Sequence, residues 1–480
     1  MRRAAALIVL AVLAAGCGTQ HAASPPPAGS DSGQTRARPG PDPGQTRVRP
    51  HPRPQPRPKR AGVQVTVVDG DLGTRVGGAR VTIGRHSSVS NRYGVARIPL
   101  LHRSALVTVA SKAGYGTRAV RLAFATHPKS TIRIYRRSLQ WAMYGAVPQR
   151  TQAQTAIRLR PPFRVVWSRG LGSLVEFPAV VADGVAYVAN AEGTIRAISM
   201  RDGSVIWKHD TPYGKMASSP AVFDDELVVH GMEGHVQVLR RSDGHLLWRY
   251  IVGSPVESSP VVLASGIDVF GAWNGVITAL DLKTHRVRWR HYDGCKITSS
   301  VAAAGGTLYI GDYCGRLLAL SPKTGAVRWS GSVNGRVYGT PAVAAGRVFV
   351  PSSDGGSLTA FSVGGRRLWS RYIGSYVYSS PAVSAGRVFF GSYNGVFYAV
   401  SARTGATLWE RATGGPISGA AVVVDGVAYA GSFAHRIVGV DARSGRVLLD
   451  FPHGQYVPVA GSGKRLLLHG YSRIFAVERR

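Results

Sequence analysis

A tryptophan recurs along this chain at a nearly constant interval. Trp167, Trp207, Trp248, Trp289, Trp329, Trp369 and Trp409 follow one another at steps of 40 or 41 residues, and Leu449 stands where an eighth is due. Each closes the same short motif. AVSARTGATLW at 399–409 is the clearest copy. ALSPKTGAVRW (319–329), ALDLKTHRVRW (279–289) and AISMRDGSVIW (197–207) repeat it, VLRRSDGHLLW (238–248) and GVDARSGRVLL (439–449) are looser, and AFSVGGRRLW (360–369) is one residue shorter. The motif reads as the end of one β-strand, a turn at Thr-Gly where glycine is free to take positive φ, and the start of the next strand. A chain with this period must build many equivalent β-units, each resting on its neighbours.

The repeat containing Trp409 shows the whole unit. Strands are predicted at Ser380–Val383, Arg387–Gly391, Val396–Ser401 and Thr407–Arg411, here called A to D, with Tyr393-Asn394-Gly395 as the B–C hairpin turn. Four short strands in about 40 residues make a propeller blade. The motif also resembles the tryptophan-docking motif, Ala-x-Asp-x-x-Thr-Gly-x-x-x-Trp, of quinoprotein-like β-propellers built from PQQ-like repeats. That resemblance implies that the seven tryptophans are structural docking groups. Phe163–Trp167 is a D strand with no A–C set before it, and Ile474–Glu478 ends an A–C set with no D strand after it. Pairing the two would close the ring and remove its open edges. The expected fold is therefore all-β: an eight-bladed β-propeller over residues 163–480, preceded by a small β-sandwich.

The N-terminal part divides by composition. Residues 1–17 carry a basic Met1-Arg2-Arg3, an apolar stretch from Ala4 to Ala15 too short for a comfortable membrane span, and Leu13-Ala14-Ala15-Gly16-Cys17. The last resembles a bacterial lipobox, which implies cleavage before Cys17 and lipidation of its thiol; an ordinary signal peptide is the alternative. Residues 18–61 form a Pro/Arg-rich linker expected to be disordered, with GQTRARP (33–39) echoed by GQTRVRP (44–50), an extended polyproline-like spacer. In residues 62–137, strands are predicted at Val63–Val68, Ala79–Ile83, Val95–Ile98, Ala105–Ala110 and Thr131–Tyr135. Their order resembles the carboxypeptidase regulatory-like domain, a transthyretin-like β-sandwich that is usually non-catalytic. Residues 138–162 are a lead-in. WAMYGAVPQRT at 141–151 resembles the segment that precedes many such propellers, and Trp141 and Tyr144 are expected to pack on the ring.

The formal charge of +34 implies attraction to anionic lipid headgroups or cell-wall polymers, although a compositional preference for Arg produces the same number. No helical nucleic-acid motif is visible, so no specific nucleic-acid partner is expected.

Chemistry, if present, belongs at the mouth of the ring. The residues before each A strand and in the B–C turns supply Lys215, Glu257, Lys296, Arg336, Tyr338, Tyr376 and Tyr378 as candidate mouth residues, with Glu176 and Gln455; the turns add Trp273, Tyr313, Tyr393, Phe433 and Tyr471. Cys295, just before an A strand, and Cys314, in a B–C turn, are expected to form a disulfide in an exported protein. His230 and His235 flank one hairpin; they are conceivable metal ligands but read more simply as surface turn residues. The family resemblance implies pyrroloquinoline quinone (PQQ), Ca²⁺, a vicinal cysteine pair and a catalytic Asp. This chain has no adjacent cysteines and few carboxylates at the mouth, so no cofactor, metal or catalytic residue is expected. There is no Walker, G-x-S-x-G or H-E-x-x-H motif. The expectation is a non-catalytic, extracytoplasmic, lipid-anchored monomer without a cofactor, a platform for envelope proteins or cell-wall polymers. The alternative is a PQQ-binding dehydrogenase or ligand sensor.

Overall fold

The computed structural model describes residues 61–480 apart from 101–104, 125–126 and 213. Residues 1–60, with the expected signal peptide, Cys17 and nearly all of the linker, lie outside the described residues.

Residues 61–134 form two sheets, one of three strands and one of four. Val63, Val65 and Val67 alternate inward from the strand Ala61–Asp69 and pack with Val81, Ile98, Phe124, Ile132 and Ile134 in one core. Period-2 alternation of valines makes a half-buried strand. Two strands escaped the sequence reading. His86–Val89 is polar and lies on the surface, and Arg118–Ala123 (RAVRLA) places Arg118 and Arg121 around Val120 and Leu122, which breaks up its apolar signal.

Residues 163–479 form eight further sheets. In chain order the first seven span 180–210, 221–251, 261–292, 302–332, 342–372, 382–412 and 422–452. Their strands lie side by side in sequence order, antiparallel throughout. In the sixth, Arg387–Gly391 and Val396–Ser401 match expectation, whereas strand A is Ala382–Ser384. The eighth sheet joins the two ends of the repeat region. Arg473–Arg479 pairs antiparallel with Phe163–Gly170, setting Ala476 opposite Trp167 and Glu478 opposite Arg164.

The tryptophans link neighbouring sheets. Six of the seven indoles donate to a carbonyl of the next repeat's C–D turn, for example Trp207 to Arg241 (2.8 Å), Trp289 to Pro322 (2.9 Å) and Trp369 to Ala402 (3.3 Å). The motif glycine is where the incoming indole lies. A Cβ on Gly405, whose φ is +73°, would stand 2.6 Å from the Trp369 ring. Only a residue without a side chain fits both the left-handed backbone and the ring. The seventh indole, Trp248, meets His285 where glycine is expected and stacks on it at 4.3 Å, and its Nε1 finds no acceptor.

Nearer the axis a second device repeats with the same period. The Ser219 amide donates to Ser259 Oγ, Ser259 to Ser300, Ser300 to Thr340 and Thr340 to Ser380, at 2.8–3.2 Å. Each hydroxyl satisfies a buried amide of the preceding repeat.

The lead-in does more than cover the ring. Main-chain groups of Trp141, Ala142, Pro148, Gln149, Thr151 and Gln152 bond in turn to Val181, Val222, Ala303, Val343, Val383 and Val423, the A strands of six sheets. Ala153–Gln154 then adds a fifth, parallel strand to the seventh sheet. Trp141 and Tyr144 are buried as expected, and Tyr144 donates to Ser380. Arg150 was not singled out by sequence. Its guanidinium is buried and donates to the carbonyls of Ser259 (3.1 Å), Pro260 (2.7 Å), Val301 (2.9 Å) and Tyr144. Burial lowers its pKa to about 10, so it stays charged at neutral pH.

Candidate functional site

The A strands and B–C turns bring most of the expected mouth residues together. Glu176, Glu257, Tyr338 and Tyr378 line one cavity with Tyr144, Phe177, Thr298, Ser418 and Tyr456. Its volume is about 40 Å³. Tyr144 ties this cavity to the lead-in beneath it.

Glu257 is the buried anchor. Tyr338 donates to one of its oxygens at 2.5 Å and Trp273 Nε1 to the other at 3.2 Å. Burial and the Glu257 charge push the Tyr338 hydroxyl far up, so it remains a donor at every physiological pH. Lys296 Nζ sits 3.3 Å from the Trp273 ring centroid and 5.0 Å from that of Tyr313, and Arg336 lies 5.8 Å from Tyr313 and 3.5 Å from Asp354. Lys215 meets Glu176 at 4.0 Å, and burial raises the Glu176 carboxyl. From Tyr338 the rings continue through Tyr378, Tyr376 and Tyr393 to Phe433 and Tyr456, with neighbouring centroids 5.0–6.0 Å apart. Such spacings are ordinary edge and tilted ring contacts.

Two expected members fall elsewhere, and one was missed. Tyr471 is half exposed and lies with His453 and Phe475 at a separate surface cavity. Tyr456, not Gln455, lines the central cavity. The reading slipped by one residue because Gly454–Ser462 is a single long strand with a register shift between Gly454 and Val459.

The histidine reading is corrected by burial. His230 is no turn residue on the surface: it is fully buried, with Nδ1 2.6 Å from the Ser258 carbonyl and Nε2 2.8 Å from Asp268. His230 and Asp268 thus form a closed, buried pair that joins the second and third sheets.

Cys295 and Cys314 are joined in the structure, with Cα atoms 5.9 Å apart. Among the described residues, the one group of potential metal ligands is Asp293, Cys295 and Asp312. Cys295 is committed to the disulfide, and Arg316 bridges Asp293 at 2.9 Å and Asp312 at 2.8 Å, filling the place of a cation. The arrangement at the mouth holds side chains in fixed positions through the bonds of Tyr338 and Trp273 to Glu257.

Comparison with known proteins agrees with this architecture. The family model described as "Outer membrane protein assembly factor BamB" matches residues 155–271 and 273–480, well over half of the chain. An outer membrane protein assembly factor BamB from Pseudomonas aeruginosa is 35% identical over 111 residues, 22% of this chain and 28% of that protein. The chain thus spans less than a third of that relative in sequence. The crystal structure of BamB from Moraxella catarrhalis superposes with a TM-score of 0.57 at 18% identity, covering 66% of this chain and 98% of that one. A quinohemoprotein alcohol dehydrogenase from Comamonas testosteroni superposes with a TM-score of 0.61 at 14% identity, covering 71% and 81%. At those identities both superpositions speak for the fold alone. With the family model spanning nearly the whole repeat region, the chain belongs to the BamB family of PQQ-like-repeat β-propellers.

Proposed function

We propose that this protein is a non-catalytic extracytoplasmic scaffold: a closed ring of eight blades, anchored through a lipid at Cys17, that holds other envelope proteins or cell-wall polymers on its rims. On this reading the N-terminal pair of sheets is an accessory carboxypeptidase regulatory-like module, the linker is the tether, and the ring is a monomer.

One observation carries the proposal. The bore is occupied by the chain's own lead-in, and the mouth above it keeps a cavity of about 40 Å³. Sites for small molecules and cofactors run from roughly 300 to 1,000 Å³. The buried carboxylate of its lining is already committed, since both oxygens of Glu257 are taken by Tyr338 and Trp273. A tricyclic quinone does not fit the residues present: both oxygens of Glu257 are already bonded, and Arg316 bridges Asp293 and Asp312 in the place of a cation. Those features favour a rigid platform over an enzyme. The BamB relatives are named as assembly factors, which agrees with envelope proteins as partners.

The test has two arms. Affinity capture from chemically cross-linked envelopes is expected to recover defined partners. Calorimetry with PQQ and Ca²⁺, alongside dye-linked alcohol oxidation, is expected to show neither saturable micromolar binding nor turnover. Stoichiometric quinone binding that disappears in Lys296→Ala or Arg336→Ala would replace the scaffold reading with the quinoprotein one.

A further inference from the structure

A second, larger cavity lies away from the mouth, where the N-terminal sheets meet the ring. Its volume is about 330 Å³, within the range of small-molecule sites. The N-terminal module contributes Asp71, Arg133 and Tyr135. The first sheet contributes Ser199 and Arg201, and the eighth contributes Ser462, Lys464 and Arg465. Four cations from three parts of the chain thus line one concave space.

Their partners differ. Arg465 is committed: it is bound to Glu478 and donates to the carbonyls of Met200 and Arg201. Among the described residues, the Arg201 side chain pairs with its neighbour Asp202, at 3.2 Å and in the open. Arg133 and Lys464 are exposed and form no ion pair with any carboxylate among the described residues. The one acid in the lining does not neutralise them. Asp71 is buried, and its two oxygens are taken by Ser462 (2.9 Å) and by Gln140 Nε2 (2.7 Å), the contacts that seat the module on the ring.

We propose that this cleft binds a phosphate ester of a polyol, with Arg133, Arg201 and Lys464 on the phosphate and the hydroxyl-bearing walls facing the polyol. A guanidinium presents paired N–H donors that match two phosphate oxygens, and an ammonium adds a compact charge. Arg133 and Lys464 have no carboxylate partner among the described residues and Arg201 has the exposed Asp202, so an anion in this concave space gains charge-assisted contacts. The space is several times larger than the mouth cavity, so a phosphate with a glycerol-sized substituent is accommodated. The chemistry is shared by a soluble phosphodiester and by a lipid headgroup. The site is independent of the scaffold reading of the mouth.

The test uses the full chain in neutral detergent, titrated calorimetrically with soluble glycerophosphoglycerol and separately with short-chain phosphatidylglycerol. The expected result is saturable binding at one site, weakened at least about tenfold in the double variant Arg133→Ala/Lys464→Ala, as loss of two charge-assisted contacts implies. Lys323→Ala/Arg366→Ala removes the same charge from exposed positions elsewhere and is expected to leave binding unchanged. Binding of the soluble diester identifies the phosphate ester itself as sufficient, whereas binding of the lipid alone, lost in the same cleft variant, identifies a headgroup. Equal weakening in both double variants, or no saturable binding of either probe, would overturn the proposal.

Discussion

The ring is held together along two circles that solve the same problem with different chemistry. On the outer circle, six indoles lean on the glycine turn of the next repeat, each a joint of apolar area with one hydrogen bond. On the inner circle the joints are polar and buried: hydroxyls accept amides across repeats, and the lead-in bonds its main chain to six A strands. The outer joints are local, so losing one costs one joint. The inner circle converges on Arg150, whose guanidinium serves four carbonyls at once. Its failure leaves several buried acceptors without donors, and each costs about 1–3 kcal/mol. The difference predicts a hierarchy of damage.

Arg150→Met stands at the top. The thioether chain fills much of the volume but donates nothing, so the variant is expected to lose about 3–5 kcal/mol even after the relief of no longer burying a charge. Denaturant unfolding measures it. A loss below about 1 kcal/mol would show that water replaces the guanidinium and that the inner circle is not centred there.

The disulfide comes next, clamping the mouth end of the fourth sheet between the circles. Cys295→Ser/Cys314→Ser opens a cross-link between residues 19 apart in sequence. The chain-entropy model assigns such a loop about 3 kcal/mol. The protein purified without reductant is expected to show no titratable thiol at either position, and two reactive thiols there would remove the prediction.

Gly405→Ala probes one outer joint. The new Cβ would meet the Trp369 ring at 2.6 Å on a backbone with φ of +73°. A non-glycine residue in the left-handed region costs about 1–3 kcal/mol, and displacing the indole adds to it, so a loss of about 2 kcal/mol is expected, smaller than at Arg150.

The outer circle was legible in the sequence, and most of the inner circle was not. The tryptophan spacing is periodic and chemically loud, and it set the orphan fragments Phe163–Trp167 and Ile474–Glu478 together, which pair in the structure within the longer strands Phe163–Gly170 and Arg473–Arg479. The hydroxyls at 219, 259, 300, 340 and 380 are also periodic, but Ser and Thr before a strand are common enough to pass as turn chemistry. The lead-in has no period at all. Its contacts are main-chain bonds, which carry no side-chain signature, and three of its residues, Ala146, Arg150 and Gln152, take positive φ that their types do not announce. His230 misled for a related reason. In sequence it borders a Gly-rich hairpin, while its partner Asp268 comes from the next repeat, 38 residues away. The mouth was legible as a set of positions because the repeat places them. What each position does was not, since Glu257 is defined by Tyr338, 81 residues distant.

The smallest expected effect tests the outer joint from the opposite side. His285 occupies the glycine position of its repeat with φ of +57°, and the indole of Trp248 stacks on its ring while Nε1 lacks an acceptor. His285→Gly relieves a left-handed backbone, a gain of order 1 kcal/mol, and lets the indole settle toward the Leu282 carbonyl, the equivalent of the acceptor used at the other joints. The same change removes a ring contact of about 0.5–1.5 kcal/mol. The two terms nearly cancel, so the variant is expected to stay within about 1 kcal/mol of the parent, with the emission of Trp248 altered. A loss beyond about 2 kcal/mol would mean that ring stacking, and not the glycine turn, is what this joint relies on.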